Sequence, residues 1–245
     1  TVSPDVTIPL GHPCMGGGVL PASEIVVPLL ARGVVLLGAV NPLVLVAVDW
    51  CEIRNDAFDH WRSVLAEAAG TTPIRVLVHS IHQHDAPVVD LEAEHLLRSH
   101  GAAGSICDPE FHEQTVQRVA QDLKASLRSA RRVTEIGLGS ARVDRVASNR
   151  RYLLPDGTPS FSRGSATRDP YAQNQPEELI DPMLRTLSFW EGDQPVAALS
   201  SYAVHPMSYY GRGGVTSDFV GLARTRRQED NPEVFQIYLS GCSGN

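Results

Sequence analysis

The sequence predicts an α/β protein, a layered sandwich in which mixed, buried β-sheets are covered by helices. Three observations carry that expectation. Short apolar, β-branched runs at 32–37, 43–49 and 74–79 lack polar alternation, as strands buried on both faces do. A segment with helical apolar spacing lies between the second run and the third. Strand, helix and strand in that order favour layers rather than a bundle or an all-β sandwich.

Each element has its own signal. Residues 7–18 are rich in glycine and proline and read as a loop holding His12 and Cys14. Asn55 is suited to cap a helix running to about residue 69, with Phe58, Trp61, Leu65 and Ala68 on one face. Asp108-Pro109-Glu110 combines a capping aspartate, a proline at the first helical position and a carboxylate at the positive end of the dipole. The helix it opens should run to about residue 130 and bury Val116, Val119, Ala120, Leu123 and Leu127. A long strand is expected at 135–147. Residues 149–182 mix arginine and proline with Asp, Asn and Gln, and a polar loop of that length reads as a wall or lid of a site. Strands at 185–190 and 195–204 should form a hairpin across Gly192-Asp193. Thr216 or Ser217 caps a last helix to about residue 229, and a strand at 234–239 follows. The chain then stops in a glycine-rich turn, where α/β folds usually keep site loops. One domain over 1–245, incomplete at its carboxyl end, is the expectation.

Composition narrows the function. With 42% hydrophobic and 20% charged residues among 245, the balance is that of an ordinary globular protein. A chain this long buries roughly three quarters of its unfolded surface, so it needs no staple merely to fold. A net charge of −7 and the lack of a basic block argue against nucleic acid as a partner. Of the 21 basic residues only Lys124 is lysine, which reads as a coding bias. The most apolar stretch, 34–48, is broken by Asn41-Pro42 and should be two buried strands instead of a membrane span. The chain begins at Thr1, so a targeting segment is left open. The four cysteines show no CxxC spacing, and four free thiols are expected over two disulfides.

The chemistry concentrates at His79-Ser-Ile-His82-Gln-His84-Asp85-Ala-Pro87. Residues two apart in an extended chain point to the same side, so His82 and His84 should converge while His79 points elsewhere. A second place, Tyr202-Ala-Val-His205-Pro206, repeats the order of apolar strand, histidine and stiffening proline. Taken alone, either could be a structural strand end. Together they are suited to bring imidazoles to within the roughly 2 Å reach of a zinc ion. Asp49 and Asp85 are candidates to orient those rings.

These residues carry a resemblance. His82-Gln-His84-Asp-Ala-Pro87 resembles the HTHSGP motif of the neutral/alkaline, non-lysosomal ceramidases, and Tyr202-Ala-Val-His205-Pro206-Met-Ser208 is similar to their FAxHPxS segment. Thr216-Ser-Asp-Phe-Val-Gly221 resembles their SSDNVGY helix start, and 241–245 falls near their GDVSPN loop. The opening 4–11, Met15-Gly16 and 44–49 fit the family's first strands, so the motifs occur in family order across nearly the whole chain.

The resemblance implies a zinc hydrolase that cleaves the amide of N-acyl sphingoid bases, ceramide to sphingoid base and fatty acid. It implies zinc on His82 and His205, with His84 beside the metal as a catalytic residue, and a further glutamate and tyrosine ligand from a later part of the family's chain. The site serine is Ser243 if the final asparagines are aligned, or lies past the end if Gly244-Asn245 matches the family's Gly-Asp. The family also implies a lipid substrate with transient membrane-surface contact, and secretion or a periplasmic location. The Asp85-Ala86 pair departs from the family's Ser-Gly, which adds a carboxylate beside the metal and suits a more polar substrate. Gly16 and Gly17, within Met15-Gly-Gly-Gly18, are expected to help bind substrate through backbone N–H groups. A metal hydrolase for another N-acyl amine or an ester, and a non-catalytic binding module, remain the competing readings. No GxGxxG, GxxxxGK[ST] or GxSxG pattern is present, which disfavours nucleotide binding and a serine triad.

Overall fold

Residues 1–38, 40–164, 167–177 and 179–243 are described in the computed structural model of the chain. The first two expected strands form β1 (Ala31–Leu36) and β2 (Leu43–Val48), an antiparallel pair. After α1 (Asn55–Ala69) the third strand, β3 (Val76–Ser80), returns parallel to β2 with Val46 opposite Val78. Two more helices follow, α2 (Leu91–Ser99) and α3 (Pro109–Ser126). A second sheet is built from β4 (Glu135–Arg142), β5 (Met183–Glu191), β6 (Gln194–Tyr202) and β7 (Phe235–Ser240), in the order β7-β6-β5-β4. Its strands are antiparallel except for β6 and β7, which run parallel with α4 (Asp218–Asp230) as the crossover.

The alternation within β2 decides the layering. Val44, Val46 and Val48 share a core with Trp61 and Leu65 of α1 and with Val116, Val119 and Leu123 of α3. The intervening Leu45 and Ala47 belong to a second core with Phe189, Ala197, Leu199 and Ile237 of the second sheet. Helices, three-stranded sheet and four-stranded sheet therefore stack in that order. This is the α/β layered sandwich that the sequence predicts. Burial is uneven, however: β4 is an exposed edge strand, and Ile136 and Leu138 stand 63% and 86% exposed.

Several local expectations change. Asn55 does not cap α1: Arg54 holds the cap position, and Asn55 enters the helix with a left-handed φ of 48° while its amide donates to Asp90 at 2.8 Å. The strand expected at 135–147 ends at Arg142, three residues before the left-handed Arg145. The third strand starts two residues late because Pro73–Arg75 forms a 3-10 turn. Ser217 sits at the start of α4 but makes no capping bond; Asp218 itself accepts from Phe219 N. Helix α2 was not expected, although Asp90 caps it by accepting from Ala93 N at 3.0 Å. The helix opened by Asp108 starts as expected, with that carboxylate accepting from Glu110 N and Phe111 N. All four cysteines are free thiols.

Asp49, at the tip of β2, is fully buried, and both its oxygens pair with Arg224 of α4 at 2.6 and 2.7 Å. It also accepts from Leu30 N. The expected role beside an imidazole is therefore replaced by a clamp between the first sheet and α4. Removing one partner strands the other charge in the core, so Arg224→Met should lower unfolding stability by about 3–5 kcal/mol in urea titrations, and Asp49→Leu combined with Arg224→Met should recover much of that loss.

Candidate functional site

The segment after β3 hangs on the end of β2. Ile81 N donates to Val48 O and His82 N to Trp50 O, both at 3.1 Å, and the buried Gln83 side chain donates to Asp49 O. The strand has already ended at Ser80, and His82 takes a left-handed φ of 72°. His82 and His84 thus converge for a reason other than strand alternation: the chain coils at residue 82 and turns both rings inward. His79 points elsewhere, as expected, and accepts from Ser240 N at 2.9 Å.

Across the second sheet, β6 ends at Tyr202 and delivers His205 to the same place. The ring centroids lie 5.5 Å (His82–His84), 5.0 Å (His82–His205) and 4.9 Å (His84–His205) apart. One ligand nitrogen from each ring falls within 4.8 Å of the others. The nearest pair is Nε2 of His84 and Nε2 of His205, at 3.1 Å.

Hydrogen bonding assigns the tautomers. His82 Nδ1 faces the Cys51 carbonyl at 3.1 Å, and His205 Nδ1 faces the Ser243 carbonyl at 2.9 Å. A carbonyl only accepts, so both Nδ1 atoms carry the hydrogen and both Nε2 atoms keep a lone pair. His84 Nε2 must then donate to His205, which leaves His84 Nδ1 as a bare, buried acceptor without a partner among the described residues. Imidazoles whose far nitrogen is pinned to a carbonyl are the form in which proteins present ligands to a metal. The cluster fits a divalent cation of the zinc type, which takes neutral imidazole nitrogen.

Burial disfavours the charged forms of His84 and His205. Desolvation, with His205, His82 and Arg150 adding positive repulsion and Glu52 opposing it, pushes His84 down to about 4. His205 is lowered mainly by burial, against the pull of the Ser243 carbonyl. His84 is therefore a neutral ring at pH 7. Next to the trio lies a second group of possible donors, Cys51, Glu52 and His82. Burial pushes the Cys51 thiol up to about 12, and Glu52 is already paired with Arg54.

Two cavities flank the imidazoles. His82 and His84 line a small one of about 290 Å³ with Met15, Gly16, Val88 and Ile106. His205 and Ser243 line a larger one of about 1000 Å³, whose far wall comes from 145–150, 163–164, 175–177 and 179–181. Part of the polar 149–182 segment lines this cavity. The segment contains the paired Tyr152–Leu153 and Pro159–Ser160 and the short helix Pro170–Gln173; its residues 165, 166 and 178 lie outside the described ones.

The remaining expected residues sort differently. Gly16 lines the small cavity, but Gly17 is pressed against Ser105, where a Cβ would stand 2.6 Å from the carbonyl oxygen. The N–H groups of Met15, Gly17 and Gly18 are spent on the Ala86, Cys14 and Met15 carbonyls. Asp85 is buried and accepts from Gly213 N at 3.2 Å, with Gly211 and Arg212 also bonding to it, so it secures the 211–213 loop and does not orient His84. Ser243 meets the cluster through its carbonyl, and the alternative register over Gly244-Asn245 lies outside the described residues. Two neighbours went unnoticed in the sequence: Tyr210, edge-on to His84 at 5.2 Å, and Arg150. A single arginine or tyrosine in a polar loop carries no spacing signal, and only the folded chain reveals it.

No protein-family model matches the chain, and no curated protein does. Among solved structures, the fold is similar to the neutral ceramidase from Pseudomonas aeruginosa, with a TM-score of 0.71 and 18% sequence identity over 100% of this chain and 38% of that one. A ceramidase complexed with C2 gives a TM-score of 0.72, again at 18% identity, over 100% of this chain and 37% of its own. The chain spans well under half the length of those proteins. The likeness is one of fold, and it is the fold that the motif resemblance implies.

The depressed His84 sets a pH dependence. Unfolded, the imidazole takes a proton near 6.5; folded, it resists until about 4. In metal-free protein, stability should therefore hold above pH 6.5 and fall as pH is lowered from 6.5 toward 4. Thermal melts across that range should show the slope, and His84→Asn should flatten part of it.

Proposed function

We propose that this chain forms part of a zinc-dependent amide hydrolase of ceramidase type. The observation that carries the reading is the convergence of three imidazoles from two strand tips, two of them presenting an Nε2 lone pair because their Nδ1–H is bonded to a carbonyl. Support also comes from the ceramidase fold.

In this reading His82 and His205 hold the cation through Nε2, and a later part of a longer chain completes the ligand set. When bound, zinc supplies Lewis acidity, polarising an amide carbonyl and acidifying a water toward neutrality. The chain's own residues do the rest. The Cys51 and Ser243 carbonyls fix the two ligand rings and raise their basicity. His84, neutral and buried, directs its Nε2–H into the space between the rings. It is placed to donate to an oxyanion as charge develops and to relay a proton toward the leaving amine. Val88, Ile106 and Met15 keep the small cavity apolar on one side and help exclude water.

N-acyl sphingoid bases are the substrates that the likeness to ceramidases suggests. A second reading, another N-acyl amine, draws on the large cavity, whose wall carries Arg145, Asn149, Arg150 and Gln175 among its apolar residues.

Metal analysis tests the core of this. The chain should bind one zinc, and His82→Ala or His205→Ala should each weaken binding by more than about tenfold, a scale that even outer-sphere partners reach. Absence of stoichiometric zinc from a longer chain that carries the remaining ligands would favour a non-catalytic binding module. Fatty-acid release from ceramide compared with short N-acyl amines separates the two substrate readings.

A further inference from the structure

The large cavity has an electrostatic character that the amide-hydrolase reading leaves unexplained. Its charged lining is Arg145, Arg150 and Arg163 with Glu177 and Asp181, in a chain whose net charge is −7. The carboxylates are already committed. Asp181 accepts from Arg185, which lies outside the lining, and from Met183 N at 3.1 Å. Glu177 accepts from Arg145 N at 2.7 Å. Arg163 is equally committed, since its guanidinium donates to the carbonyls of Asn149, Gln175 and Pro176 and serves to build the wall.

Two guanidinium groups remain. Those of Arg145 and Arg150 have no hydrogen-bond or ion-pair partner among the described residues. Arg150 is half-buried and lines the same cavity as His205. A half-desolvated cation without an ion-pair partner is unfavourable on its own. An anion entering the cavity would remove that cost, and a planar guanidinium is the group that best grips an oxyanion with two parallel hydrogen bonds.

We propose that the amide substrate carries an oxyanion, a carboxylate or a phosphate, on the part that enters the large cavity, where Arg150, assisted by Arg145, pairs with it. The inference rests on the amide-hydrolase reading and names its substrate class: an N-acyl amino acid or an N-acyl aminoalkyl phosphate in place of a neutral N-acyl amino alcohol. The uncommitted positive wall also steers such anions toward the imidazoles against the protein's overall negative charge. The acyl part takes the other side, where the small cavity of about 290 Å³ suits a short chain.

The test uses three hexanoyl amides: N-hexanoylglycine, O-phospho-N-hexanoylethanolamine and the neutral N-hexanoylethanolamine. Binding to the zinc-supplemented chain is measured by calorimetry, and amide cleavage is measured in parallel. An anionic amide should bind about tenfold more tightly than the neutral one, a difference of about 1.4 kcal/mol. That ratio should shrink at high salt. Arg150→Gln should bring it close to one and Arg145→Gln should lower it partway, with circular dichroism and zinc content reporting that each variant is folded. Whichever anion binds better identifies carboxylate or phosphate as the natural group. Equal binding of all three amides overturns the inference, and selectivity that survives Arg150→Gln overturns the assignment to that residue. Anion-selective binding without cleavage of any amide, when the longer chain carrying the remaining ligands is assayed, upholds the inference and overturns the hydrolase reading instead.

Discussion

The 3.1 Å approach of His84 and His205 spans 121 positions of sequence, and everything functional here depends on the strand tips that hold it. Those tips are cross-linked. Ser240 at the end of β7 donates from its N–H to His79 and from its hydroxyl to the Ile81 carbonyl, at 2.9 and 2.7 Å. Gly241 N donates to Tyr202 O at 2.9 Å, in a contact so close that a Cβ would stand 3.1 Å from Ala203 N. The ends of β3, β6 and β7 are thereby locked together across two sheets. A side chain at position 241 would push β7 from β6, and His205 would move with it.

Desolvation is the second organising force. The same packing that closes the two cores buries His84, so its ring stays neutral far below its ordinary range. A neutral ring can offer a cation a lone pair, whereas an imidazolium, with a hydrogen on both nitrogens, cannot. Buried charge is tolerated only where it is paired. Asp49 and Arg224 satisfy one another inside the fold, and that pair anchors the helix preceding β7. The contrast with Arg150, half-buried and without a counter-charge among the described residues, distinguishes a charge used for architecture from one facing a cavity.

The loop of 208–213 illustrates how carboxylates near a site can serve structure. Asp85 ties down Gly213, and Asp218 accepts from Ser208 N and Tyr209 N at 3.2 and 3.0 Å. Together they fix the segment from which Tyr210 covers His84. Asp85 is close to the rings yet devoted to the backbone, which accounts for why it looks like a site candidate in the sequence.

Much of this protein was legible before folding. Strand hydrophobicity identified the buried sheets because a strand covered on both faces must be apolar throughout, and Asp108-Pro109 marked a helix start through purely local geometry. The three histidines could be singled out because each lies within a few residues of the end of an apolar run and is followed by a proline within a few residues. What local sequence could not supply was anything decided by partners distant along the chain. The inward turn at His82 follows from bonds to Trp50 and Cys51, not from its neighbours' extended periodicity. Asp49 and Asp85 found Arg224 and Gly213 instead of imidazoles, because a buried carboxylate goes to whichever donor tertiary packing brings within reach. Arg150 gained its place only when a polar segment folded over the tip of β6. Pattern reports burial and backbone propensity, which are local; pairing and charge environment depend on three-dimensional proximity, and only the assembled layers determine them.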